Sequence, residues 1–117
     1  MIDKTTQIKV LLGGNAYDFA CQTLGVDNMR DSKYSDVFTV TERQVHEYVF
    51  LNGFPNGETP KEERGTEGFH FYQERGTWHT WYKERNIVSD EIKFEDSREA
   101  KRYIATTLLR MAGTGVY

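Results

Sequence analysis

The 117 residues hold one cysteine, Cys21, which has no partner for an internal disulfide and cannot form a multi-cysteine metal site. That fits a reducing compartment, so a cytoplasmic location is expected. Long apolar runs are missing too. Runs such as Val49-Phe50-Leu51 fall far short of the roughly 20 residues a membrane span needs, so no membrane partner is expected. The opening Met1-Ile2-Asp3-Lys4-Thr5-Thr6-Gln7 lacks the basic and apolar regions of a secretory signal. An excess of positive charge is also absent. The formal net charge is -3 and basic residues alternate with acids, as in Lys61-Glu62-Glu63-Arg64. Phosphate-backbone binders cluster Lys and Arg, so no nucleic-acid partner is expected, while a mildly acidic surface suits a basic protein. No catalytic or cofactor motif stands out. Gly13-Gly14-Asn15 before a helix offers a weak anion site, but it lacks the glycine spacing of a dinucleotide loop and the lysine of a P-loop. Neither a cofactor nor a metal is expected.

What the chain does have is rings. A hydrophobic content of 38% with 28% charged residues is that of a globular protein, and the length suits a single α+β domain over 1–117. The densest stretch, Phe69 to Phe94, breaks at Arg75-Gly76 and at Arg85-Asn86-Ile87 into three runs rich in aromatic and β-branched residues. That predicts a three-stranded antiparallel meander. A two-residue loop at Arg75-Gly76 fixes the pairing. His70, Tyr72 and Glu74 then share a face with Trp81, His79 and Thr77, while Phe69, Phe71 and Gln73 share the other with Tyr82, Thr80 and Trp78. A second tight turn at Arg85-Asn86 places Ile92 and Phe94 with Trp81 and His79, and Ser89, Glu91 and Lys93 with Trp78 and Tyr82.

Around the meander, Gln7 to Leu12 is a short apolar segment, helix or strand. Ala16 to Leu24 reads as a helix capped by Asn15 and closed by Gly25, with Tyr17, Ala20, Cys21 and Leu24 at helical spacing. Cys21 packs there as a small apolar residue. Val37 to Thr41 is strand-prone. Thr41 with Gln44 offers a capping box, yet the Val, Tyr and Phe content of Gln44 to Leu51 favours a strand. Glu58 to Gly68 is a charged, exposed loop, mobile or functional. Asp96-Ser97-Arg98-Glu99 starts a helix whose stripe is Ala100, Tyr103, Ile104, Thr107, Leu108 and Met111. The expected architecture is an antiparallel sheet of about four to five strands with an N-terminal helix and a C-terminal helix packed on the sheet. On this pairing the C-terminal helix covers the His79/Trp81 face. The Phe69/Phe71/Trp78/Tyr82 face is then either a partner surface or core beneath the N-terminal helix.

His46, His70 and His79 are the only histidines. The pairing brings His70 and His79 near Tyr72 and Glu74, a set able to serve acid-base hydrolysis of RNA or to bind a metal. The plainer reading is a pair of imidazoles bonded locally within an aromatic sheet, and no local motif defines a site. Glu62-Glu63 and Asp90-Glu91 face solvent.

The block Phe71-Tyr72-Gln73-Glu74-Arg75-Gly76, then Trp78 to Arg85, then Ile92 to Tyr103, resembles small bacterial immunity proteins of polymorphic-toxin and contact-dependent growth inhibition systems. In several such families an aromatic strand carrying YxERG precedes another strand, a phenylalanine, an acidic-serine cap and an alanine-containing helix. The resemblance covers the C-terminal half. It implies a cytoplasmic, non-catalytic protein that binds and neutralises one cognate toxin domain, often a nuclease, in a stoichiometric complex. The surface expected to do so joins the loop acids Glu58, Glu62, Glu63 and Glu67 to the rings Phe71, Trp78 and Tyr82. A small hydrolase or nuclease using His70 and His79 is the alternative, as is a phage or mobile-element protein that binds another host protein.

Overall fold

A computed structural model describes residues 2–117. In chain order they form α1 (Lys4–Gly13), α2 (Ala16–Leu24), α3 (Glu42–Asn52), β1 (Gly68–Glu74), β2 (Thr77–Glu84), β3 (Ile87–Phe94) and α4 (Ser97–Ala112), with 3-10 turns at Tyr34–Asp36 and Lys61–Glu63. The class is α+β as expected, but the sheet has three strands, in the order β1-β2-β3, rather than four or five. No helix among the described residues is long and apolar enough to cross a membrane. The chain divides into two units, residues 1–56 with 105–117 and residues 57–104.

In the first unit every helix has an identifiable start or stop. Asp3 caps α1 by accepting from the Thr6 backbone N–H at 2.8 Å. Gly14 and Gly25 end α1 and α2 at positive φ, 81° and 68°, where a side chain would be strained. Asn15 sits at the cap position of α2, but its side chain makes no capping bond. Each missing strand has an identifiable reason. At α3 the reciprocal box closes: Gln44 N–H donates to Thr41 Oγ1 at 3.2 Å and Thr41 N–H donates to Gln44 Oε1 at 2.9 Å. The helical spacing of Val45 and Val49 then buries both, so capping and periodicity outweigh β propensity there.

The segment after Val37 is extended yet joins no ladder. Its backbone N–H groups at Thr39 and Val40 donate instead to Gln7 Oε1 of α1, at 2.7 and 3.2 Å. Gln7 is 1% exposed, and its Nε2 donates to Ile2 O and Thr39 Oγ1, so the buried amide is fully used. A side chain thus takes the place of a neighbouring strand. Ile8, Leu11, Leu12, Ala16, Ala20, Val37, Phe38, Val40, Val45 and Val49 form the core with Ala105 and Leu109.

In the second unit Arg75-Gly76 and Arg85-Asn86 all have positive φ, so both loops are tight, mirror-image hairpin turns. The β1–β2 register is the expected one, with His70 opposite Trp81, Tyr72 opposite His79 and Gln73 opposite Trp78. On β3 the expectation holds only as far as Ser89, which pairs with Tyr82. Beyond it a bulge intervenes, with Asp90 at φ 50°, and Thr80 then pairs with Ile92, His79 with Lys93 and Trp78 with Phe94. One extra residue reverses every later side chain, so Ile92 and Phe94 join the Trp78 face.

That reversal also decides which face α4 covers. Tyr103 lies 6.4 Å from Phe69 on β1 and 5.3 Å from Phe94 on β3, so the helix crosses the Phe69/Trp78/Phe94 face, not the His79/Trp81 face. Asp96 caps α4, accepting from Arg98 N–H at 2.8 Å and Glu99 N–H at 3.2 Å. The helix runs unbroken past Ile104. Its fully buried residues are Ala100, Ile104, Ala105 and Leu109, while Met111, expected in the stripe, is 57% exposed.

Candidate functional site

The face away from α4 is built from cross-strand rings. His79 stacks on Tyr72 with centroids 4.7 Å apart, Trp81 meets Tyr72 edge-on at 5.7 Å, and His70 lies 5.5 Å from Trp81. The charged loop folds onto these rings. The Arg64 guanidinium sits 3.7 Å above the Tyr72 ring, Lys83 Nζ donates to Gly65 O at 2.8 Å, and His70 Nε2 donates to Thr66 O at 2.7 Å. His70 is therefore buried, with its Nε2 proton committed to a carbonyl. The two histidines do share a face, as read from the sequence; His70 is bonded to the loop, and His79 is stacked on Tyr72.

Glu58 and Glu67 are clasps. Glu58 Oε1 accepts from Gln73 N–H at 2.7 Å, and Glu67 Oε1 accepts from Arg85 N–H at 3.0 Å. Thr59 adds two more bonds along β1: its N–H donates to Phe71 O at 2.8 Å, and its hydroxyl accepts from Phe71 N–H at 3.0 Å. The free edge of β1 is thereby covered. Only Glu62 and Glu63, in the exposed 3-10 turn Lys61–Glu63, keep carboxylates clear of such bonds.

The expected seven-residue surface does not assemble. The loop lies on the His79 face, whereas Phe71, Trp78 and Tyr82 point to the α4 face. Phe71 and Trp78 are 7% and 4% exposed, because the bulge turns Phe94 and Ile92 onto their side and α4 closes over it. Neither ring is a surface anchor. Tyr82, at 37%, is the one aromatic of the three that reaches solvent.

The exposed surface that pattern reading missed is β3 itself. Ile87, Val88 and Ile92 are 67%, 49% and 36% exposed, and Ser89, Asp90, Glu91 and Lys93 are exposed around them. One signal was present in the sequence. Adjacent Ile87 and Val88 must face opposite sides of a strand, so at a sheet edge both cannot be covered by one helix.

In the first unit, Gly13 and Asn15 border an open cleft of about 400 Å³ with Thr6, Lys9 and Asn56. Cys21 is buried in α2, in the small apolar role expected. No group of three His, Cys, Asp or Glu side chains among the described residues is placed to hold a metal ion. No protein-family model, curated protein sequence or solved structure matches the chain.

Proposed function

We propose that this chain is an immunity protein: a non-catalytic, cytoplasmic binder that neutralises a co-encoded bacterial toxin domain by stoichiometric complex formation. The resemblance of its C-terminal half suggests the immunity role and leaves the type of toxin open. The observation that carries the binding reading is the contrast within the second unit. His70, the side chain best suited to acid-base chemistry, is buried and bonded to Thr66 O. Tyr82, Ile87 and Ile92, by contrast, are exposed apolar groups on one side of an acidic strand. Exposed apolar side chains rimmed by charge are the composition of a protein interface. A carboxylate-rich rim speeds encounter with a basic domain such as a nuclease.

The experiment is co-expression of this gene with its neighbouring toxin gene, then purification of both products and measurement of stoichiometry and binding kinetics. Protection of the cells, with a complex of fixed ratio, supports the reading. Absence of a complex with any neighbouring gene product defeats it. A double His70→Gln/His79→Gln variant separates binding from catalysis. Protection retained by a variant that still folds fits an inhibitor, and protection abolished with an unchanged unfolding midpoint means chemistry.

A further inference from the structure

We infer that the outer edge of β3 is a docking strand for an extended, basic segment of a protein partner. This rests on the proposed binding function and names the surface and chemistry it would use. The two edges of the sheet are unlike. Glu58 and Thr59 occupy the backbone of β1, whereas β3 pairs only with β2 among the described residues, leaving a row of N–H and C=O groups open. An open edge takes an added strand through its main chain, and alternate side chains set specificity. Here Ile87 and Ile92 offer apolar contact on one face and Val88 on the other.

Charge selects the occupant. Residues 87–95 carry Asp90, Glu91 and Glu95 against Lys93, and none of these acids forms an ion pair among the described residues. A second copy is a poor fit. β3 itself carries Asp90 and Glu91 against Lys93, a net of -1, and Glu95 follows at its end, so two paired copies would meet with like charge. A partner strand bearing Lys or Arg meets complementary charge instead, and pairs with the regular stretches on either side of the bulge.

The test uses the full chain, isotope-labelled for amide NMR, and three capped peptides of the same length as β3. One alternates lysine and valine, one alternates glutamate and valine, and one is the lysine peptide with alternate amides N-methylated. The lysine peptide is expected to shift the amides of Ile87 to Glu95. Binding should weaken about tenfold or more for the glutamate peptide, for the N-methylated peptide, and for a Glu91→Lys/Glu95→Lys variant whose fold is checked by its unchanged melting temperature. Shifts elsewhere, no shifts, equal binding of the acidic peptide, or equal binding of the N-methylated one each overturn the inference. So does self-association of the free chain through the same amides. A toxin complex that leaves the β3 amides unprotected refutes this edge alone and leaves the immunity reading standing. The absence of any toxin complex refutes that reading, while the peptide titration still decides the edge.

Discussion

Deleting Asp90 should barely disturb the protein, whereas deleting Lys93, three residues later on the same exposed strand, should destabilise it severely. The bulge sets Asp90 and Glu91 together opposite Trp81. Removing Asp90 leaves Glu91 opposite Trp81, Ile92 opposite Thr80 and Phe94 opposite Trp78, so every pairing and every face survives. It also removes a non-glycine residue at φ 50°, a conformation that costs about 1 kcal/mol. Some strand twist is lost in exchange, and the expected net change in unfolding free energy is within about 1 kcal/mol. Removing Lys93 instead places Phe94 opposite His79 and Glu95 opposite Trp78. The partial burial of Phe94 is lost, about 1 kcal/mol, and so is its 5.3 Å ring contact with Tyr103, about 1 kcal/mol more. A glutamate is then pressed against the buried Trp78, at about 1–3 kcal/mol. The sum, about 3–5 kcal/mol, is a large share of the 5–15 kcal/mol typical of a domain. Urea unfolding read by the fluorescence of Trp78 and Trp81 measures both variants, and a Phe94–Tyr103 nuclear Overhauser contact reports the face. Equal damage from the two deletions, or loss of that contact on deleting Asp90, would refute the bulge as the device that aims Phe94.

Trp78→Ala is expected to cost about 3–5 kcal/mol in the same unfolding assay, since the ring is 4% exposed, and a loss below about 1 kcal/mol would mean it is not core. Gln7→Leu keeps the volume of the α1 side chain but removes the acceptor for Thr39 and Val40 N–H. A loss of about 2–4 kcal/mol with fast hydrogen exchange at those two amides is expected, and unchanged exchange would show they bond elsewhere. Thr41→Ala should lower stability by about 1 kcal/mol and leave β1–β3 amide exchange unaltered, as the box it breaks is local to α3. The Asp3 carboxyl is held below its ordinary value by the Thr6 backbone N–H and then the Thr6 hydroxyl. Its contribution is therefore present above the unfolded-state value and fades as pH falls through the lower folded one. Asp3→Asn should flatten that acid limb in a stability–pH profile, and an unchanged limb would assign it to other carboxylates.

Much of this fold is written in short-range chemistry that a sequence displays directly. Two-residue turns at Arg75-Gly76 and Arg85-Asn86 require positive φ and fix the hairpins, so the β1–β2 register follows from counting. Gly25 ends α2, and Asp96 starts α4, because the orphan backbone groups at a helix end are satisfied by residues within one turn. The Thr41–Gln44 box held the same kind of local signal for α3, but the β-rich composition of Gln44 to Leu51 pointed to a strand, and that expectation failed. Other features were decided at longer range. Val37 to Thr41 has the composition of a strand, and only Gln7, 32 residues away from Thr39, diverts its N–H groups from a ladder. Asp90 looks like any exposed acid in the sequence, yet its positive φ inserts one residue into β3 and reverses Ile92, Lys93 and Phe94. Side-chain period in a strand is two, so the faces past the bulge could not be read from alternation alone. The burial of Phe71 and Trp78 follows from that residue and from α4, the exposure of β3 from its place at the sheet edge, and the separation of the loop acids from Tyr82 from the loop's bonds on the His79 face.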